Sequence, residues 1–267
     1  MDSCMRFIFI ILIFTTVNKV SADTLWKLGA GIGNITAHSY IGSDQAQTIT
    51  SPIPYLKVKT EWFDLDNEGL HTNWFEETRF RLDFSFDLGL PVDSNEIKSR
   101  NGMPDLDPVG QLGPLLIYQL YDSRILKWQL HLPLTYAYAV DGFEVNSVGW
   151  ASNPRIYFNY LYGDLIYPLD ISMSFGSVYA SEEFHRYYYD VEPGYITAER
   201  NVYSATEGAA GYRFIFSMTR RMNGYWLGLY VRYQNLSDAV FADSPLVDQQ
   251  DYWFIALGAS WLFAGDL

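Results

Sequence analysis

The stretch Leu126–Val140, LKWQLHLPLTYAYAV, alternates almost without error. Leu126, Trp128, Leu130, Leu132, Leu134, Tyr136, Tyr138 and Val140 take every second place, and Lys127, Gln129, His131, Pro133, Thr135, Ala137 and Ala139 fill the gaps. A period of two is the signature of a strand with one greasy face and one polar or small face. The fold depends on what covers the greasy face and on which side water lies.

The same pattern recurs along the chain. Phe80, Leu82, Phe84, Phe86, Leu88 and Leu90 interleave with Arg81, Asp83, Ser85, Asp87 and Gly89; Leu169, Ile171, Met173 and Phe175 interleave with Asp170, Ser172, Ser174 and Gly176. Further alternating runs cover Tyr212–Met218, Tyr225–Gln234 and Asp251–Phe263. Between them lie turn signals: Asp66-Asn67-Glu68-Gly69, Asp141-Gly142, Tyr162-Gly163-Asp164 and Met222-Asn223-Gly224. The parse gives about twelve strands, starting near Leu25, Pro52, Leu70, Thr78, Gly110, Leu126, Val148, Leu165, Arg186, Ser204, Tyr225 and Asp251. The strand over Arg186–Val191 is short and weak, so ten strands is the alternative.

The polar face decides which side is wet. It carries many Gly, Ala and Ser together with Arg81, Asp83, Asp87, Lys127, His131, Arg155, Asp170, Glu207, Arg213 and Arg232. Small residues mixed with opposite charges suit a narrow lumen, whereas a solvent-washed exterior needs far more than 18% charged residues. The greasy face is continuous for about 25 Å at roughly 3.3 Å per residue, allowing for tilt. Aromatics, 17% of the chain, crowd its ends: Trp128 at one and Tyr136 and Tyr138 at the other, with Tyr225 and Tyr233 alike. That is the girdle expected at lipid headgroups. The expected fold is all-β, a transmembrane antiparallel up-and-down barrel in a bacterial outer membrane, touching outer-membrane lipid. A soluble barrel is the rival.

Composition sets the remaining bounds. Residues 1–22 read as a signal peptide, with Arg6 ahead of the apolar run Phe7–Phe14 and a small-x-small site at Val20-Ser21-Ala22; residues 23–267 are then the barrel. A buried first helix is the bland alternative. Cys4 lies inside that leader and is the chain's one cysteine, so no disulfide or cysteine-based metal site is expected. A net charge of −13 argues against nucleic acid. With the first strand starting in the periplasm, segments 38–51, 192–203 and 237–250 face outside and Asp141-Gly142 faces inside. Pro91–Val109 then becomes a periplasmic connection of unusual length, where short turns are the rule.

That segment contains Arg100-Asn101-Gly102-Met103-Pro104-Asp105-Leu106-Asp107, followed by Gly110 and Leu112-Gly113-Pro114. With Gly29-Ala30-Gly31, Tyr40-Ile41-Gly42-Ser43-Asp44, Tyr187-Tyr188-Tyr189-Asp190-Val191 and Ser244-Pro245-Leu246-Val247, it resembles the MipA/OmpV family of outer-membrane proteins over nearly the whole mature chain. The chain departs from the usual barrel ending, since Ala264-Gly265-Asp266-Leu267 follow Phe263. The resemblance implies a non-enzymatic barrel that scaffolds a periplasmic murein lytic transglycosylase and a peptidoglycan synthase. A porin-like small-solute channel or an adhesin is the alternative. It brings no catalytic residues and no cofactor.

Residue by residue, the sharper chemistry loses to plainer roles. His131 pairs with no nucleophile elbow and reads as a hydrogen-bonded lumen histidine rather than a catalytic base. Asp83 and Asp87 stand about 13 Å apart along a strand, too far for acid–base partnership. Asp64–Gly69 opens like a calcium loop but reaches Phe75 where a bidentate glutamate is needed, so it reads as a turn. Gly29, Gly31 and Gly33 precede no helix and fit close backbone approach, not a nucleotide loop. Arg100, Met103, Pro104, Asp105 and Asp107 form the candidate partner loop: Arg100 bridged to Asp105 and Asp107, Met103-Pro104 as an apolar tip. Its other reading is a rim loop packed against the lumen.

Overall fold

The computed structural model describes residues 25–60, 63–66, 69–72, 79–163 and 166–265, with the backbone alone for 63–66 and 69–72. The expected leader and its cleavage site lie outside the described residues. The strand segments are β1 (Leu25–His38), β2 (Ala46–Lys59), β3 (Phe63–Asp66), β4 (Gly69–Thr72), β5 (Phe80–Gly89), β6 (Val109–Asp122), β7 (Leu126–Pro133), β8 (Thr135–Asp141), β9 (Glu144–Ser152), β10 (Arg155–Tyr162), β11 (Leu169–Ala180), β12 (Gly208–Met222), β13 (Tyr225–Asn235) and β14 (Asp251–Gly265). One helix, α1 (Glu182–Tyr189), lies between β11 and β12.

These segments make twelve antiparallel strands. β7 and β8 are one strand interrupted at Leu134, whose N–H still donates to the Pro114 carbonyl at 2.9 Å. β9 and β10 are one strand interrupted at Asn153-Pro154. Each strand pairs with its sequence neighbours, and β14 pairs back to β1 from Lys27↔Gly265 to Ala37↔Phe254, closing the cylinder. Closure removes the unpaired edges that hydrocarbon cannot solvate. The two strand breaks press backbone inward against glycines: a Cβ on Gly113 would lie 2.0 Å from the Leu134 carbonyl oxygen, and one on Gly176 2.0 Å from that of Pro154.

The thinnest part of the wall, among the described residues, is the β3–β4 hairpin. β2 matches β1 along its whole length but pairs with β3 only at Val58↔Leu65 and Lys59↔Asp64. Pro52 and Pro54, which lack an N–H, fall in the part of β2 that has a ladder on one side only, where a proline costs no second hydrogen bond.

The faces follow the sequence pattern. From His131 to Val140 burial alternates at every residue: His131, Pro133, Thr135, Ala137 and Ala139 are buried, while Leu132, Leu134, Tyr136, Tyr138 and Val140 are exposed. Phe80, Phe84, Phe86 and Leu88 of β5 and Trp253, Ile255, Leu257, Trp261 and Phe263 of β14 are likewise exposed, while Asp83, Ser174, Gln234 and Ser260 are buried. Water lies inside and hydrocarbon outside.

Leu25 of β1 and Gly265 of β14 lie at one mouth, the terminal end. Connections 39–45, 90–108, 142–143, 181–207 and 236–250 gather at the other, the loop end. This corrects the sequence reading twice over: Pro91–Val109 and Asp141-Gly142 belong with the long loops, not with the termini. The segment at Arg186 is not a strand but the helix α1. Its Ser181-Glu182-Glu183 start is a helix N-terminus: the Ser181 hydroxyl accepts from the Phe184 N–H at 3.3 Å and both glutamates occupy the first turn.

Candidate functional site

α1 lies in the loop-end mouth. Its Phe184, Tyr187 and Tyr188 pack on the inward-facing Val109, Ala137, Ala139 and Val148, so the helix is a plug held by the barrel wall itself. Arg186 on its other face is braced by Glu182 and Asp190, each four residues away. His185 is buried and its Nδ1 contacts the Thr206 carbonyl oxygen at 2.6 Å. Burial pushes the His185 pKa below the ordinary value of 6.5.

The long loops close over the plug as a small core of their own. Tyr189 stacks on Phe241 at 3.8 Å between ring centroids, and Leu236, Val92 and Leu106 are buried around them. Tyr189 Oη donates to the Ile41 carbonyl at 2.7 Å, and Ser244 Oγ donates to the Tyr189 carbonyl at 2.9 Å. Burial pushes the Tyr40 phenol up to about 12, so it stays a neutral donor, and it donates to the Leu246 carbonyl.

The Arg100–Asp107 segment is part of this cap. Arg100 is buried, and its guanidinium donates to Ser94 Oγ at 3.1 Å, the Tyr188 carbonyl at 3.0 Å and the Pro104 carbonyl at 3.2 Å. The expected bridge to Asp105 and Asp107 is absent from these bonds: Asp105 Oδ1 accepts instead from the Ser94 N–H, and the Asp107 N–H donates to Tyr187 Oη. Met103 is no exposed tip; it is buried against Val191 and Leu246. The rim-loop reading of this segment describes its packing. Sequence reasoning missed Arg200, whose guanidinium reaches the carbonyls of Tyr195, Ser99 and Asn101 at 2.8, 2.7 and 3.1 Å and ties the 192–203 loop to the rim. Nothing in its local sequence marks it, because all three acceptors are backbone.

Beneath the plug lie the lumen charges. Asp87 meets Arg232 at 2.9 Å and Arg213 at 3.5 Å, and Arg155 stands in the same row as Arg213, with Gly176 between them. Toward the terminal end, Arg81 meets Asp83 at 3.1 Å. Asp170 accepts from Asn159, and Lys127 stands in register with Asp122 and Asn159. Asp83, Asp87 and Asp170 thus each have a different partner. His131 Nε2 lies 2.8 Å from Gln129 Oε1, Gln129 donates on to Gln119 at 2.7 Å, and the imidazole stacks on Tyr157. Glu207 is the exception to the lumen reading: it precedes β12, whose first residue is Gly208, and is exposed at the loop end.

A closed twelve-stranded cylinder with Leu, Phe, Tyr and Trp toward hydrocarbon, charges within and one mouth plugged is an outer-membrane β-barrel. The chain belongs to the MipA family, whose model, described as MltA-interacting protein MipA, matches residues 28–263. Its place is the bacterial outer membrane. No curated protein matches the chain. Among solved structures it is similar to OprG of Pseudomonas aeruginosa (10% identity, 92% of this chain and 99% of that one, TM-score 0.28). The Pseudomonas putida toluene transporter TodX gives 7% identity, 91% and 90% coverage and a TM-score of 0.29. A FadL homologue of Pseudomonas aeruginosa gives 7%, 90% and 90%, and 0.30. At such TM-scores these likenesses add nothing to what the strand order already shows.

Proposed function

We propose that this protein is a non-enzymatic outer-membrane barrel whose terminal end docks cell-wall enzymes, a murein lytic transglycosylase together with a peptidoglycan synthase. The observation that carries this is the plugged mouth: α1 fills the loop end with Phe184, Tyr187 and Tyr188 against the wall, which disfavours free diffusion through the lumen. The description of the family, MltA-interacting protein MipA, supports a murein-enzyme partner. In barrels of this kind the short turns face the periplasm and the longer loops face outward. The Arg100–Asp107 loop therefore points away from such a partner, and the docking surface falls to the turns at 123–125 and 223–224. The charged lumen is what favours the alternative, a porin-like channel.

Two measurements on the full chain in detergent separate the readings. Co-purification with a purified lytic transglycosylase is expected, weakened when residues 123–125 and 223–224 are exchanged for glycine-serine turns and kept in Phe143→Ser at the loop end. Stable single-channel steps in a planar bilayer, with no enzyme retained, would overturn the scaffold in favour of the channel.

A further inference from the structure

We propose that the lumen directly beneath α1 is a binding site for a small oxyanion carrying two negative charges. The inference does not depend on the scaffold role. It begins with a charge count at one level of the barrel. Arg213 of β12 and Arg232 of β13 meet the carboxylate of Asp87 from β5, and Arg155 of β10 stands in the same row as Arg213, with Gly176 of β11 between them. Among the described residues, three guanidiniums share this level with one carboxylate, an excess of two positive charges in a chain whose total is −13.

Among the described residues, the neighbouring acids sit lower in the barrel. Asp83 is held by Arg81 at 3.1 Å and Asp170 by Asn159, both nearer the terminal end. The other bonds of the cluster are to neutral groups: Arg213 Nε to Gln234 Oε1 at 2.9 Å, Arg232 Nε to Tyr230 Oη at 3.1 Å, and Arg155 Nη1 to the Asn153 carbonyl at 3.2 Å. These bonds aim the planar groups without neutralising them. Arg232 is further fixed over the rings of Tyr230 and Phe254. Fixed guanidiniums present paired donors that match the edges of carboxylates and phosphates. Held charges left uncompensated in a confined space destabilise the fold, so the arrangement favours a guest that supplies the missing charge.

The fold also says how the guest arrives. The cap and α1 pack across the loop end above the cluster, so the route we propose is from the terminal, periplasm-facing mouth. The shared chemistry is a compact dianion, inorganic phosphate or a short dicarboxylate, and the two sources are distinguished by separate arms of the test.

The test uses the full chain in lipid nanodiscs at constant ionic strength, titrated with phosphate, succinate or formate and read by calorimetry and by the thermal midpoint. Saturable binding of phosphate or succinate, whichever is the tighter, is expected, with formate at least about tenfold weaker. Arg155→Gln, which gives up one hydrogen bond to a carbonyl, should weaken the dianion at least about tenfold, the loss of one charge-assisted contact. Asp87→Asn should tighten it by a similar factor if that variant folds; if it does not, Arg155→Gln decides alone. Equal affinity in Arg155→Gln, equal affinity for formate, or a linear unsaturable response would each overturn the site and leave an adventitious ion only.

Discussion

The Arg100 guanidinium donates to the main-chain carbonyl of Tyr188 across 3.0 Å, and through that bond the rim loop holds the plug helix in the barrel mouth. Both residues belong to segments remote in sequence, and the bond between them lies outside the strand ladders. The cap is therefore a unit that can loosen while the wall stays closed.

Arg100→Met removes all three guanidinium bonds while keeping the stem, at a cost of roughly 3 kcal/mol to the cap. Whole-barrel unfolding is expected to change little, while proteolysis within 190–207 speeds up and single-channel steps emerge in planar bilayers. Arg100→Lys should not restore the plug, because a point charge cannot reach Ser94, Tyr188 and Pro104 at once. A protease pattern identical to the parent would show that Arg100 is not the clamp.

His185 makes the same cap sensitive to acid. Burial holds its folded-state pKa below 6.5, so the neutral ring is the one the packed cap accepts. Stability is complete above the unfolded value of about 6.5 and falls as pH drops below it, until the folded-state pKa is also passed. Cleavage of the 190–207 loop should therefore accelerate between neutral pH and about pH 5, and His185→Gln should flatten that dependence. A parent protein whose cap resists protease equally across this range would contradict the assignment.

How far this was legible in the sequence depends on the range of the interaction. The alternation over Leu126–Val140 is a local property, and the structure reproduces it residue by residue. Which mouth a loop occupies is not local, because it depends on counting every strand before it. The sequence reading misses β3, four residues beside a turn, and that reverses the direction of every strand from β4 to β11. It then counts a strand at Arg186 where α1 lies, which restores the direction from β12 onward. Two opposite errors thus preserve the total of twelve while moving Pro91–Val109 to the wrong end. The other residues named for the lumen fall on strand positions of the side opposite the exposed apolar face, while Glu207 lies before β12, because side-chain parity along a strand is local. The bond from Arg100 to the Tyr188 carbonyl and the three from Arg200 to carbonyls are not legible, because main-chain acceptors carry no residue signature.

The outer wall carries one polar pair at mid-height. On β14, Trp253 and Trp261 mark the two aromatic belts, and Leu257 between them stands in register with Asn34. Asn34 Nδ2 donates to Thr50 Oγ1 at 2.9 Å, so the amide is satisfied by its cross-strand neighbour. Thr50→Val should cost about 1–3 kcal/mol by leaving that amide unpaired in hydrocarbon. The double change Asn34→Leu with Thr50→Val should recover that loss, measured by denaturant unfolding in lipid vesicles. A double variant no better than the single one would mean that the pair faces something other than lipid.

The strand breaks make the most demanding prediction. β9 and β10 part at Asn153-Pro154 so that Arg155 can enter the lumen, and the Pro154 carbonyl is then driven against β11. Only the missing side chain of Gly176 leaves space for it, since an added Cβ would lie 2.0 Å from that oxygen and 2.7 Å from Arg155 Cα. Both obstacles are backbone, which no rotamer change relieves. Gly176→Ala is therefore expected to lower the fraction of chain that runs as a folded, heat-modifiable band, by much more than a surface glycine would. Gly110→Ala is the matched control, because its Cβ meets nothing within 4 Å. Equal folded fractions for the two variants would mean that the wall at Asn153-Pro154 can shift, and that Arg155 is not held where the lumen cluster needs it.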